Sequence, residues 1–200
     1  MKTLFIVSAI LIAVFFVSQA FIMSSSNRIE QHPYIVLESF EAFEIRQYAP
    51  ALFSSVTMNA DSYESTSSSG FRVLAGYIFG GNEANKSIAM TTPVRMEIGD
   101  SSKMSFMVPK EYSLENLPKP NNNKIYFEKD SEKIMAAISF GGWANDEKIK
   151  THQDQLAALL AENGFKHKGN FAYLGYNPPY QILNRKNEVV VELDAYQAKN

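Results

Sequence analysis

The chain contains no cysteine. Disulfide frameworks, thiolate metal sites, cysteine nucleophiles and thioether-linked cofactors are therefore excluded, and cysteine usage marks no redox compartment. Histidine is scarce, at positions 32, 152 and 167 only, and no HExxH, phosphate-cradling glycine loop or nucleophile elbow occurs. Neither a metal centre nor a catalytic constellation is spelled out. An excess of one charge is missing too, with 19 Lys and Arg against 21 Asp and Glu. Without a basic field to gather phosphates, nucleic acid is not an expected partner. Glu128, Asp130 and Glu132 could suggest an acid–base set, but they alternate with Lys129 and Lys133 and read as a solvated hairpin tip. What the chain has in quantity is aromatic surface, 14 Phe and 10 Tyr in 200 residues. That suits a sheet core or a flat ligand. The length and the 46% hydrophobic content correspond to one ordinary globular domain.

The first segment stands apart from that domain. Lys2 precedes an apolar run over residues 4–17, and no acidic residue occurs before Glu30, which is the charge order of an export signal. Ser18 and Ala20 offer small side chains for cleavage after Ala20, yet the apolar character continues through Phe21, Ile22 and Met23. At ~1.5 Å per residue, roughly 20 such residues cross a ~30 Å hydrocarbon core. Residues 1–23 are thus either a cleaved signal peptide or a membrane anchor, and the expected location is exported, periplasmic or otherwise extracytoplasmic. Residues 24–33 read as a tether, 34–194 as the folded domain and 195–200 as a tail.

Within the domain one arrangement occurs twice. Phe43 and Ile45 alternate with Glu44 and Arg46; after Ala49-Pro50, Leu52, Val56 and Met58 alternate with Ser55 and Thr57. These are two half-buried strands. A helix follows, capped by Asn59 or Asp61, carrying Tyr63, Ser67, Phe71, Leu74 and Ile78 at helical spacing and stopped at Gly80-Gly81. Its middle, residues 65–70, is a poor helix former, so packing must hold it. Two strands come next, one with Ile88, Met90 and Val94, the other with Met104, Phe106 and Val108. Pairing must break near Pro93, which has no backbone donor. Beyond a polar connector at 117–123 the order repeats: strands around Ile125 and Phe127 and from Ile134 to Phe140, then a helix capped by Asn145 or Asp146 with Ile149, Leu156, Leu159 and Leu160 on its stripe, ended by Gly164. Strands at 171–176 and 180–183 follow, and Val189, Val191 and Leu193 close the chain. The expected fold is α+β, with two pseudo-repeated ββαββ halves forming a distorted, largely antiparallel β-barrel or curved sheet with two helices.

Five motifs in order make the chain resemble the SOUL haem-binding protein family. They are Glu44-Ile45-Arg46-Gln47-Tyr48 with Pro50, Tyr77-Ile78-Phe79-Gly80-Gly81-Asn82, Ile88-Ala89-Met90-Thr91-Thr92-Pro93-Val94, Gly175-Tyr176-Asn177 with Pro179, and Arg185-Lys186-Asn187-Glu188-Val189. The resemblance implies non-covalent binding of haem or another porphyrin, with no settled enzymatic reaction. It places the ring beside the first domain helix, against Phe71, Leu74, Ala75 and Ile78. Some relatives carry a histidine where this chain has Gln47, and an amide is a poor iron ligand. Of the three imidazoles, His152 is the candidate ligand, since it falls on the stripe of the second helix. His32 is expected in the exposed tether and His167 in a solvated turn. Tyr48, Tyr77 and Met90 carry donor atoms, and Arg72 with Ser67, Ser68 and Ser69 can meet propionates. The expected function is an exported tetrapyrrole carrier or buffer. The alternatives are a module for another flat hydrophobic molecule and a tetrapyrrole-modifying enzyme.

Overall fold

The computed structural model describes residues 2–26, 28–59, 61–99 and 101–196. Met1 and residues 197–200, most of the expected tail, lie outside them. A long helix, α1 (Lys2–Ser26), leads into β1 (Glu30–Gln31), β2 (Tyr34–Ser39), β3 (Glu44–Tyr48), β4 (Ala51–Met58) and α2 (Tyr63–Ile78). Then come β5 (Thr91–Thr92), β6 (Val94–Glu97), β7 (Ser102–Met107), β8 (Ile125–Asp130), β9 (Lys133–Gly141), α3 (Asp146–Glu162), β10 (His167–Gly175) and β11 (Lys186–Leu193). The fold is α+β with a strongly curled antiparallel sheet of nine strands, ordered β2-β3-β9-β11-β10-β6-β7-β4-β8.

That order shows how the two ββαββ halves combine. The halves are β3-β4-α2-β6-β7 and β8-β9-α3-β10-β11, and they meet at the β6–β10 pair, where Met96 faces Tyr173. The first strand of each half leaves its own half. β3 pairs with β9, and β8 pairs with β4. β3 therefore lies near one end of the sheet and β4 near the other, although only Ala49 and Pro50 connect them. Two linking residues span at most about 11 Å, so the sheet must curl until its ends approach. The Ser131-Glu132 link between β8 and β9 imposes the same closure.

Both helices pack on the outside of this half-barrel, α2 over β4 and β7 and α3 over β9, β10 and β11. The main core lies beneath them and includes Ile45, Val56, Leu74, Met96, Leu156 and Val189. A smaller cluster of Ala137, Ala172, Leu174, Tyr176 and Val190 occupies the inner, helix-free face. Strand alternation sends every second residue to each face. The two helices are tied together at their N-termini, where the Asp146 carboxylate accepts hydrogen bonds from the backbone N–H groups of Tyr63 (2.5 Å) and Glu64 (3.3 Å).

Small residues in the weak middle of α2 permit close packing on the sheet. Thr66 and Gly70 are buried, and a Cβ on Gly70 would lie 3.2 Å from that of Met104 and 2.7 Å from Cε of Met58. Leu74, Tyr77 and Ile78 follow on the buried side, and full burial of such side chains stabilises by about 1.5–3 kcal/mol each. The helix cap is Ser62, not Asn59 or Asp61; its hydroxyl accepts from Ser65 N–H. The second helix begins at Asn145, one of its two expected caps. At the exit of α2, Gly81 N–H bonds the Gly76 carbonyl at 2.9 Å, and a Cβ on Gly81 would sit 2.6 Å from that oxygen. Gly81→Ala is expected to destabilise the domain by about 1–3 kcal/mol, measured by urea unfolding, whereas Gly76→Ala, whose Cβ meets open space, is expected not to.

Two segments differ from the sequence expectation. Glu30–Gln31 is not free tether but pairs in parallel with Thr91–Thr92, just before the break at Pro93. Residues 180–183 form no strand, because Pro178 and Pro179 lack the N–H groups a ladder needs and the Arg185 guanidinium takes the loop carbonyls instead.

Candidate functional site

Helix α2 separates its four expected contact residues. Leu74 and Ile78 are buried in the main core and Ala75 is buried as well, whereas Phe71 is 40% exposed. The Phe71 ring leans on Phe106 at 5.4 Å. Phe71, Ala75 and Phe79 follow at four-residue spacing and share one face. Phe79 is 70% exposed and Ala75 only 8%, so along this strip two open phenylalanines flank a small, buried residue between them. Beside its C-terminal end lies a shallow recess lined by Tyr77, Ile78, Ile88, Met90, Phe106 and Leu117, among others. Met90 thus serves both the core and the wall of the opening. Tyr77 is committed elsewhere. Its hydroxyl donates to the Pro118 carbonyl at 2.8 Å, and burial, with Tyr112 nearby, pushes its pKa up to about 12. Arg72 is exposed at the strip, while the Ser69 hydroxyl is engaged with the Ser65 and Thr66 carbonyls.

A second recess, somewhat larger than the first, lies inside the half-barrel, with Tyr48, Phe53, Arg95, Met135, Leu174 and Val190 among its walls. His32 is there too, contrary to its expected exposure in a tether. The pairing of Glu30–Gln31 with β5 and the bond from His32 N–H to the Thr92 carbonyl draw it inward. Its ring packs against Tyr48 (5.0 Å) and Phe53 (5.4 Å). Burial lowers its pKa against the opposing pull of the Ala49 carbonyl, and Arg95 lowers it further. The imidazole is therefore neutral at pH 7. Its Nε2 lies 2.9 Å from the Ala49 oxygen; since a carbonyl only accepts, the proton is assigned to Nε2 and the lone pair to Nδ1.

Charged networks flank this interior. Glu188 is fully buried, and its carboxylate receives both terminal nitrogens of Arg46 at 2.9 Å. Tyr176 Oη (2.6 Å) and Ser139 Oγ (2.9 Å) also donate to it, and Lys186 Nζ lies 3.0 Å away. Burial alone would raise the Glu188 pKa; the bonds and charge of Arg46, with Tyr176 and Lys186, bring it to about 2 instead. On the far wall Asp130 bridges Arg95 (2.6 Å) and Lys133 (3.2 Å). The Arg95 guanidinium lies 4.3 Å over the Phe53 ring. Two of the three hairpin acids thus make ion pairs, Asp130 as above and Glu128 with Lys103 at 3.3 Å, while Glu132 is exposed.

The other imidazoles stand apart. His152 lies on α3 as expected, half-buried and stacked on Phe140 at 4.2 Å, with Nδ1 2.7 Å from the Lys148 carbonyl oxygen. It lines neither recess. His167 is exposed at the start of β10 and lies against Phe171. Gln47 is half-buried and also lines neither recess. Among the described residues no group of three His, Asp or Glu side chains is placed to hold a metal. A cross-strand acidic partner for Arg46 is the ordinary expectation for a charge in a half-buried strand, but the choice of Glu188 and the joining of Tyr176 and Ser139 to the network are not legible in the sequence.

The domain is an α+β half-barrel with two helices packed on the sheet and a shallow, partly aromatic recess on each face. The family model described as SOUL heme-binding protein matches residues 29–192. The chain is 31% identical over 157 residues to human (Homo sapiens) Heme-binding protein 2 and 32% over 158 residues to the mouse (Mus musculus) protein of that name, covering 74% of this chain and 76% of each relative. Heme-binding protein 1 of Xenopus laevis is 27% identical over 156 residues, covering 74% of this chain and 82% of that protein. The chain belongs to the SOUL heme-binding protein family. Among solved structures, the EcmrR C-terminal domain superposes with a TM-score of 0.61 at 8% identity, covering 77% of this chain and 98% of that one. A Listeria innocua hydrolase superposes with a TM-score of 0.56 at 6% identity, covering 86% and 97%. At such identities the likeness concerns the fold alone.

Proposed function

We propose that this protein binds haem or a related porphyrin non-covalently and acts as a carrier or buffer, with no reaction of its own. Family membership, with relatives named for haem binding, supports the ligand class. The observation that carries the site is the pair of exposed rings, Phe71 and Phe79, set on either side of the small buried Ala75 and beside the Met90-lined recess. A flat macrocycle laid on that strip covers both rings, and Arg72 at its edge offers a cation for a propionate. No histidine reaches the strip, so desolvation of the ring supplies the affinity.

The interior recess is the second reading, favoured by its larger volume and by the neutral His32 in its wall. Asp130 already pairs with Arg95 and Lys133 in its walls, which places it behind the α2 strip, although the buried Arg95 Nε has no hydrogen-bond partner among the described residues. Haemin titration into the full chain in detergent checks the function. A saturable Soret change at one equivalent is expected. Comparable affinity for unrelated flat aromatics would instead favour the general hydrophobic binder, and lasting loss of the Soret band with a reductant would favour an enzyme.

The reading extends to location. Thr3–Ser26 is long and apolar enough to cross a bilayer and is nearly all exposed. We read it as a retained anchor that holds the domain outside the membrane of export, consistent with Lys2 ahead of the run and no acidic residue before Glu30.

A further inference from the structure

We infer that the loop 178–184 and the neighbouring Trp143 form a lipid-contacting foot, pressed into the interfacial layer of the bilayer that α1 spans. This rests on the reading of α1 as a retained anchor. Gln19 is an amide inside an apolar helix, costly in hydrocarbon unless both its ends are bonded. Both are. Gln19 Nε2 donates to the Tyr180 carbonyl (3.4 Å), and its Oε1 accepts from Ile182 N–H (2.9 Å). One helical turn further on, Met23 Sδ meets Asn184 Nδ2 at 4.0 Å, and Ser26 Oγ donates to Gln181 Oε1 at 3.1 Å. Positions 19, 23 and 26 share one helix face, so the loop is fastened along the last two turns of α1.

That attachment fixes the depth of the loop. An apolar run beginning at Leu4 fills a ~30 Å core at about Met23, and Gln19 lies about 6 Å before that point. A loop bonded at Gln19 thus sits at the boundary between acyl chains and headgroups. Its exposed side chains fit that layer: Tyr180 is 64% and Ile182 50% exposed, and Trp143 beside them 50%. Tyr and Trp favour the interface because each joins an apolar ring to a polar tip.

The backbone of the loop is prepared for scarce water as well. Pro178 and Pro179 carry no N–H, and the Arg185 guanidinium donates to the carbonyls of Gln181 (2.6 Å), Pro178 (2.9 Å) and Asn177 (3.4 Å). The buried Gln181 side chain satisfies the Leu183 carbonyl at 3.1 Å. Irregular backbone tolerates this depth only when its polar groups are satisfied within the protein. Arg185 also stacks on Trp143 at 4.0 Å, which joins the tryptophan to the foot.

Trp143 is the only tryptophan in the chain, so its fluorescence reports on this one site. The test uses the full chain reconstituted in phosphatidylcholine vesicles with or without acyl-chain-brominated phosphatidylcholine. The expected result is a blue-shifted Trp143 emission that loses most of its intensity in brominated vesicles. Gln19→Leu, which keeps the anchor apolar but removes the docking bonds, and the double change Tyr180→Asp with Ile182→Asp are each expected to relieve that quenching several-fold while the protein still floats with vesicles. Full-length chains that float but show an unquenched Trp143 would overturn the foot and leave the anchor standing. If those chains also sediment as dimers, the patch belongs to a second copy instead. Recovery of membrane-fraction protein that begins at residue 21 would remove the anchor reading and the foot together.

Discussion

Glu188→Ala is expected to lower the unfolding free energy by about 3–5 kcal/mol, because it strands the Arg46 guanidinium without its carboxylate in a place water does not reach. Both side chains are almost wholly buried and paired through two bonds of 2.9 Å. The remaining acceptors of Arg46 are Glu44 Oε2 at 2.8 Å and the Tyr48 hydroxyl at 3.2 Å. Glu44 is more accessible than Glu188, so it compensates only in part. Urea unfolding followed by circular dichroism measures the loss. Replacing both partners, Arg46→Met with Glu188→Leu, is expected to recover much of it, since no fully buried charge is then left unpaired and the partners released, Glu44 and Lys186, are both partly exposed. A single Glu188→Ala variant as stable as the parent would show that water or another carboxylate takes over the pair.

The same carboxylate makes the fold acid-sensitive. Its pKa falls from 4.5 when unfolded to about 2 when folded, so its contribution is complete above about pH 4.5 and drains away as the pH drops towards 2. At ~1.4 kcal/mol per tenfold change in proton affinity, that is on the order of 3 kcal/mol. His32 acts in the same direction at higher pH. Its folded pKa lies below 6.5, so protonation below that value favours the unfolded chain. Stability is expected to decline from pH 7 downwards, and the portion below pH 4.5 is expected to shrink in Glu188→Ala.

Phe71→Asp is the second large effect, expected to weaken haem binding about 10- to 100-fold. Loss of an aromatic platform removes roughly 1.5–3 kcal/mol of burial, and the new carboxylate repels the propionates. Phe71 is exposed enough for the domain to tolerate the change, and an unchanged urea midpoint confirms that the loss is local. His152→Ala is expected to leave the affinity within about twofold, because the ring stacks on Phe140 away from either recess. His32→Ala separates the two placements of the ligand. Unchanged affinity in Phe71→Asp together with a lost Soret shift in His32→Ala would move the porphyrin from the α2 strip to the interior of the half-barrel.

Particular residues show why some of this was legible in the sequence and some was not. The stripe Phe71, Leu74, Ile78 reveals the helix but not which of the three stays outside, since 3.6-residue periodicity identifies a face and not what covers it. Phe71 lies at the margin of that face and only the placement of β7 leaves it open. His32 looked like tether because two residues, Glu30 and Gln31, are too short to show a strand period. Their partner, Thr91–Thr92, is 61 positions away. Residues 180–183 alternate like a strand, yet two prolines and Arg185 turned them into a loop.

Alternation, turn residues and five ordered motifs were enough by themselves to establish the two ββαββ halves, the family and a membrane-length apolar start, because each is a property of neighbours along the chain. Tertiary structure alone decided that β3 and β8 change places between the halves, that Arg46 meets Glu188 across 142 positions, and that Gln19 reaches the loop 178–184. A period of two tells a strand which face to bury but not which strand to lie beside. That choice is made by the whole sheet as it curls over its helices.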